Sequence, residues 1–442
     1  MTWKKIKLGE VIKQRKGFIN IDNEVEYKLC RVQVHRKGVV LREHLKGFQI
    51  NTKKQQVCKA GDFIVAEMDA KVGGYGFIPK ELDGAIVSSH YFLFELDTNK
   101  IRPQFLEVVS QLKILQEQIK AIGSTNYAAI RPINVLEWEI PFPPIEKQIE
   151  IERIFENAKL NVDKLTLQYQ FQLTQLENLN QAILQEAVQG KLVSQDPKDE
   201  PACELLKRIK AEKAKSGKKE KPLPPIKPEE IPYGIPENWV WCRLGEICDI
   251  KGGKRVRNGY KLLKTPTDHI YIRVTDMKNG SISNSDIHYI DQKMFEDIKQ
   301  YTISKYDLYI TIAGTIGEVG EVPEMFDGAN LTENAAKFVF DNILLNRGWL
   351  RNILSSKHSQ LQFLDKTKKV TAQPKLALTR IATTLIPLPP LSEQKRIVAE
   401  VEKQLAKTRQ LNEHIIANQQ ATEQLLKALL HQAFEVKGME QA

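Results

Sequence analysis

Cysteine is scarce in this chain. Cys30, Cys58, Cys203, Cys242 and Cys248 are the only five in 442 residues, and no two of them make a C-x-x-C pair. An odd number without close spacing excludes a disulfide framework and reads as reduced thiols. The histidines are scattered without H-x-x-x-H or Cys/His spacing, so no metal is expected. No apolar run reaches the ~18 residues of a membrane span. The basic opening MTWKKIKLGEVIKQRKGF lacks the apolar stretch of a secretory signal. A soluble cytoplasmic protein is the expectation.

Catalytic signatures are missing as well. There is no G-x-x-x-x-G-K-[ST] loop, which excludes P-loop nucleotide hydrolysis. The Asn-Pro-Pro-aromatic or Asp-Pro-Pro-aromatic tetrapeptide of the amino-methyltransferases is absent too. The Pro-Pro pairs follow Phe142 and Leu388, neither of which offers an amide or carboxylate to hold an amino group. KVGGYGF and IAGTIGEVG are glycine-rich but lack the strand, loop and helix context of a nucleotide fold. The carboxylates of GDFIVAEMD and ENAAKF have no lysine at nuclease spacing.

What the chain does have is positive charge and repetition. Lys and Arg exceed Asp and Glu by 65 to 55, a formal charge of +10. Clustered cations gain affinity for polyanions by releasing the counterions condensed on phosphates. The phrase IPFPPIEKQIEIERIF at residues 140–155 returns as IPLPPLSEQKRIVAEV at residues 386–401. Upstream, WKKIKLGEVI at Trp3–Ile12 resembles WCRLGEICDI at Trp241–Ile250, with Gly9 against Gly245, and LCRVQVHRKGV resembles YIRVTDMKNGS, with Arg31 against Arg273. GDFIVAEMDAKVGGYGFIP corresponds to YDLYITIAGTIGEVGEVP, with Pro79 against Pro323. The spacing between copies therefore drifts over the first part of each half. It then stays constant from Thr125 against Thr371 to Ala187 against Ala433. Loops absorb insertions, whereas one extra residue rotates every later side chain of a helix by ~100° off its seam. Each half is a loop-bearing globular domain followed by a rigid helix.

The globular parts, 1–144 and 236–390, read as mixed α/β (α+β). VCKAGDFIVAE and ISKYDLYITIA have strand composition, and Asn279-Gly280 marks a tight hairpin. IRPQFLEVVSQLKILQEQIK and NRGWLRNILSSKHSQLQFL place apolar residues at helical spacing. Segments 145–193 and 391–436 are long helices of about 45 residues, each started by its Pro-Pro pair. The first has its pairing stripe at Ile151, Phe155, Val162, Leu165, Tyr169, Leu176 and Ile183. The second has it at Ile397, Val401, Leu405, Leu411, Ile415, Leu425 and Leu429, with Thr408, Asn418 and Thr422 as polar interruptions. Such stripes are expected to pair with each other about a pseudo-twofold axis. Parallel and antiparallel pairing both satisfy that axis. Between them, 194–235 reads as a linker with a short helix around Leu205–Ala214 and a solvated basic, Pro-rich remainder.

Two similar but unequal modules held by a rod suit a duplex, whose grooves repeat about every helical turn. Each copy would read a different half-site, giving a split, asymmetric recognition sequence. The phrases WVWCRLGEI, IPLPPLSEQKRIV, LNQAILQEAVQGKLV and DEPACELLKRIKAEKAK followed by IPENWVW resemble the specificity subunits of type I restriction-modification systems over essentially the whole chain. The resemblance implies two target-recognition domains and two spacer helices paired as an antiparallel coiled coil. It also implies docking of two methyltransferase subunits that use S-adenosylmethionine to methylate adenine N6, and of restriction and motor subunits that use ATP and Mg. The chain itself would hold no cofactor and no catalytic residue. Two departures stand out: EKQIEI replaces the second copy's SEQKRI, and LLHQAFEVKGM only loosely matches the QGKLV ending of the first helix. The alternatives are an autonomous DNA-modifying enzyme with an unfamiliar site and a sequence-independent coiled-coil scaffold.

For DNA contact, loops are favoured over strand interiors. In the second domain the candidates are Lys254, Arg255 and Arg257 of KGGKRVRNGYK, Gly314 and Thr315 of IAGTIG, and Lys368, Lys369, Thr371, Gln373 and Lys375 of DKTKKVTAQPK. The cations suit phosphates, and a glutamine can read adenine through two hydrogen bonds. In the first domain they are Ser124, Thr125, Asn126, Tyr127 and Arg131 of GSTNYAAIRP, joined by Lys71.

Overall fold

The structure is a computed structural model that describes residues 3–119, 129–215, 222–365 and 375–435. It divides into two compact units, one of Met1–Gln170 with Ile415–Ala442 and one of Phe171–His414. The long helices Ile145–Val188 and Leu391–Glu435 each contribute one part to each unit. The units thus cut across the division into globular domains and helices read from the sequence.

The first unit is built on a four-stranded antiparallel sheet in the order Ile12–Arg15, Tyr91–Leu96, Phe63–Ala66, Tyr75–Phe77. All four residues of Phe63–Ala66 are buried, as expected of a central strand covered on both faces. Lys5–Lys7 pairs with Glu139–Pro141, bringing the chain start to the residues that lead into the first long helix. The second unit repeats this plan with Asp249–Gly252, Ala335–Val339, Leu308–Thr311 and Val319–Glu321, and with Val240–Arg243 against Leu385–Leu388.

An amide clamp repeats too. Gln118 donates to the Glu139 carbonyl at 2.8 Å and accepts from the Glu139 N–H at 2.6 Å, and Gln362 does the same to Leu385 at 3.0 and 2.9 Å.

The copies diverge beside this shared sheet, where the sequence offset drifts. The first unit adds a five-stranded sheet, ordered Phe18–Asn20, Lys54–Val57, Ile86–Val87, Glu26–Val32, Val39–Lys46. The second retains only the parallel pair Tyr271–Ile272 with Asn330–Leu331, a two-residue hairpin and the helix Gln292–Ile298. That hairpin turns at Asn279 and Gly280, whose φ values of 54° and 71° are those of the tight turn read from Asn-Gly.

Within each unit the helical segments run antiparallel. In the first, Tyr169 Oη and Thr422 Oγ1 lie 3.2 Å apart, while Phe155 and Phe434 join the same core cluster. In the second, Thr408 donates to Asn180 Oδ1 at 2.7 Å, while Ile183, Ala187, Ile397 and Val401 share one core. Ile151, Phe155, Ile183, Ile397 and Val401 are buried, and Val162, Tyr169, Leu176, Leu405 and Ile415 are half-buried.

Four expected stripe residues are exposed instead: Leu165 (37%), Leu411 (51%), Leu425 (59%) and Leu429 (36%). The covered stripe runs through Thr166 and Leu173 on the first helix and through Thr408, Ile415, Thr422 and Leu426 on the second. The physical reason is spacing. A seam recurring every 3.5 residues keeps the polar Thr408 and Thr422 in phase with Val401 and Ile415 and puts Leu405 and Leu426 on the covered side, which turns Leu411 and Leu425 outward; Leu429 keeps the seam's phase and is the least exposed of the four.

The short helix read in the linker is present, somewhat longer than expected, and packed. Ala202–Lys215 is a 14-residue helix whose Ala202, Leu205, Leu206 and Ile209 enter the second unit's core. Lys213 donates to the carbonyls of Gly245 and Cys248 at 2.6 and 3.1 Å. Beyond 221 the Pro-rich stretch is held by Arg243, which donates to Pro224 O and Pro225 O and pairs with Glu230 at 2.7 Å. Apolar residues at i, i+3 and i+4 gave this segment a face to bury, and that outweighed its lysines. No helix among the described residues is long and apolar enough to cross a membrane.

Candidate nucleic-acid interface

In the second unit, antiparallel pairing places the end of Asp249–Gly252, the end of Leu308–Thr311 and the start of Ala335–Val339 at one sheet edge, with Gly252 opposite Ala336 and Thr311 opposite Ala335. The chain leaves that edge through Gly253. A Cβ there would lie 2.2 Å from the carbonyl oxygens of Leu331 and Thr332, so only glycine lets the next residues hug this edge. Lys254 N–H donates to Leu331 O at 2.8 Å, and its Nζ sits 5.8 Å from the centre of the Tyr301 ring. Ala313 bridges to Lys375, whose Nζ donates to Glu333 O at 3.0 Å. Gly314, at φ 80°, and Thr315 form the exposed loop beside them. The fold therefore gathers Lys254, Arg255, Gly314, Thr315 and Lys375, residues spread over more than a hundred positions of sequence.

Their charge is partly spoken for. Arg255 Nε lies 2.5 Å from Glu333 Oε1. Burial raises the Glu333 pKa, but the bonds from Arg255 and Thr332 outweigh it and hold the carboxyl below its ordinary value. Arg257 pairs with Asp297 of the helix Gln292–Ile298. A phosphate reaching either arginine shares the guanidinium with a carboxylate, which weakens the attraction.

The first unit has the equivalent edge. Ile130 N–H donates to Glu67 O at 3.1 Å, as Leu376 N–H does to Ile312 O at 2.9 Å. Arg131 follows at once, exposed, with its N–H on Asn134 Oδ1 at 2.8 Å. Lys71 is exposed and its carbonyl accepts from Gln116. Ser124, Thr125, Asn126, Tyr127, Lys368, Lys369, Thr371 and Gln373 lie outside the described residues.

The first unit carries one further feature, at its five-stranded sheet. A cavity of about 300 Å³ on the five-stranded sheet is lined by Arg31, Arg42, Asn51, Gln55 and Tyr91 among others. Arg31 makes no ion pair among the described residues. In the sequence Arg31 stands between the apolar Cys30 and Val32, the alternation of a strand with one face outward.

Of the carboxylates considered for catalysis, Glu67 lies 2.7 Å from His90 Nδ1, Glu333 pairs with Arg255, and Asp62, like its counterpart Asp307, is held in a turn. Asp62 closes its own turn by accepting from Lys59 N–H at 2.9 Å and pairs with Arg15. Asp307 accepts from Ser304 N–H at 2.8 Å and pairs with Lys337 at 2.9 Å. Asp307 thereby ties its turn to the adjacent strand Ala335–Val339, and Asp62 ties its turn to Ile12–Arg15, two strands away. Among the described residues no group of three or more His, Cys, Asp or Glu is placed to hold a metal ion.

Comparison with known proteins follows the same duplicated plan. The model of the type I restriction modification DNA specificity domain matches residues 1–175 and 236–418. The EcoAI type I restriction enzyme specificity subunit of Escherichia coli is 35% identical over 237 residues, 52% of this chain and 39% of that protein. The MjaVIII specificity subunit of Methanocaldococcus jannaschii is 23% identical over 421 residues, 90% of this chain and 85% of that one. The chain thus spans less than half the length of the EcoAI relative and of its EcoEI counterpart, 39% and 44%. A solved structure described as the structural basis of complex assembly and conformational transition of the type I R-M system shares the fold, with a TM-score of 0.61, 19% identity and 98% of both chains covered. With both copies of its repeat matched, the chain belongs to the family of type I restriction-modification specificity subunits.

Proposed function

We propose that this chain binds double-stranded DNA at a bipartite, asymmetric target and directs methyltransferase and restriction subunits to it, without catalysing a step itself. The observation that carries the reading is the repeated sheet edge. Two units of one plan present equivalent loops, yet the residues there differ: Lys254, Arg255 and Lys375 in one, Lys71 and Arg131 in the other. Equivalent placement supports contact with equivalent grooves, and unequal side chains support unequal half-sites. Paired as a coiled coil, the two long helices would set the gap between them.

Partner docking is supported by apolar residues that the fold leaves exposed on the helices. These are Ile154, Leu160 and Leu167 in the first unit, and Phe171, Leu179 and Leu411 in the second. Exposed apolar surface at such density favours a protein partner. S-adenosylmethionine, ATP and Mg belong to those partners on this reading, and adenine N6 is the atom methylated.

A selection on random duplexes, followed by a methyl-transfer assay, tests the proposal. The expected outcome is enrichment of one split motif, with transfer only after a methyltransferase subunit is added. Transfer by the chain alone would establish an autonomous enzyme, and enrichment of no motif would leave a scaffold.

A further inference from the structure

We infer that the second unit carries a socket for an arginine side chain of a docked partner protein, an inference that rests on the partner-binding reading above. The socket is a cavity of about 460 Å³ lined by Asn279, Thr315, Glu318, Asn352 and Gln360, with Leu184 and Leu405 of the long helices against it. All of these residues belong to the second unit.

The first unit shows what such a place holds. There the turn at His35 and Arg36, with φ values of 60° and 59°, sends Arg36 Nη1 to Gln116 Oε1 at 2.7 Å. Gln116 Nε2 in turn donates to Lys71 O at 2.8 Å. Gln360 is the counterpart of Gln116: it stands two residues before the clamp residue Gln362, as Gln116 stands two before Gln118, and its Nε2 donates to Gly317 O of the corresponding loop at 2.8 Å. Among the described residues nothing donates to Gln360 Oε1. The turn above it carries Asn279 and Gly280, neither of which offers a guanidinium.

The remaining differences between the copies fit a cation. Glu318 stands where the first copy has Gly74, and among the described residues only one of its oxygens is used, accepting from Gly280 N–H at 2.8 Å. Asn352 stands where the first copy has Val108. It is 5% exposed, and its Nδ2 has no partner among the described residues. A half-turn of that amide presents Oδ1 instead. The cation already in the lining, Arg351, is held by Glu321 at 2.8 Å. A planar guanidinium offers donors in several directions at once and can serve an amide and a carboxylate together, which a lysine ammonium does with less geometric definition. Leu184 and Leu405 suit its aliphatic stem.

Asn279→Arg should fill the socket from within, as Arg36 does in the first unit, and Asn279→Gln controls for the turn and for side-chain length. Binding of the purified methyltransferase subunit of the same system is measured for the full chain and both variants, with DNA binding and melting temperature alongside. The expected result is about tenfold or more weaker partner binding for Asn279→Arg, near-native binding for Asn279→Gln, and no loss of DNA affinity in either. Native partner binding by Asn279→Arg, or equal weakening by both variants, overturns the socket while leaving the functional reading intact. Failure of the unaltered chain to bind the subunit overturns both.

Discussion

Trp239 Nε1 donates to Glu393 Oε2 at 2.9 Å, whereas the Nε1 of Trp3, its counterpart in the first copy, is buried with no partner among the described residues. The position matching Glu393 is Lys147, which turns to Glu150 at 2.6 Å. Gln195 adds a second donor to Glu393 at 2.6 Å, and Asp199 closes on Ser392 and Arg396 beside it. The departure EKQIEI therefore alters a lock between the globular domain and its helix. The same offset places Trp239, not Trp241, opposite Trp3. Trp241 packs instead on Tyr233 and His358, with ring centres 5.2 and 5.7 Å away.

Glu393→Ala should cost about 1–3 kcal/mol, the penalty of leaving a buried indole N–H unmet, read by calorimetric unfolding. Burial holds the Glu393 carboxyl above its ordinary value despite its hydrogen bonds. A raised acid favours the protonated folded state, so its contribution to stability falls as pH rises from the ordinary carboxylate value through the raised one. Glu393→Gln should remove that fall. Its advantage over the native chain should be absent in acid and grow toward neutral pH, and an advantage independent of pH would contradict the assignment.

Asn180 and Thr408 form a polar pair in the helix seam of the second unit. Thr408→Val alone should destabilise the second unit by about 1 kcal/mol because Asn180 is left without its donor. The double variant with Asn180→Leu should recover most of that loss. A double-mutant cycle in urea measures the coupling, and strictly additive effects would show that the 2.7 Å bond contributes nothing.

Leu205→Ala should cost about 2–5 kcal/mol, the usual range for a core leucine, since Leu205 is fully buried in the second unit's core. Proteolysis should then cut within Ala202–Lys215, which packing protects in the native chain. A solvated linker would tolerate the substitution within about 0.5 kcal/mol.

On the DNA side, Lys254→Ala and Lys375→Ala should weaken binding evenly across sequences and lower the salt slope by about one each. Gln373→Ala should instead relax preference at one base, at roughly 1–3 kcal/mol. Competition binding against a panel of single-base variants distinguishes the two classes. Unchanged affinity and selectivity in all three variants would place the interface elsewhere.

The repeat, the two long helices, the Asn279-Gly280 turn and the strands at GDFIVAE and YDLYITI were legible from the sequence by itself. Each rests on local chemistry: a period, a backbone preference or a frozen offset that a helix enforces. Tertiary structure decided what local pattern leaves open. Leu425 and Leu426 are equally apolar, and only the seam's superposed period selects Leu426. The short linker helix was legible as a helix, but the core that its leucines enter is built from residues far along the chain. Arg255, Gly314 and Lys375 became neighbours because antiparallel strands end at one edge, a long-range relation that no window of sequence contains. Residue type sets what each side chain can do, and the register of distant strands sets what it can do it with.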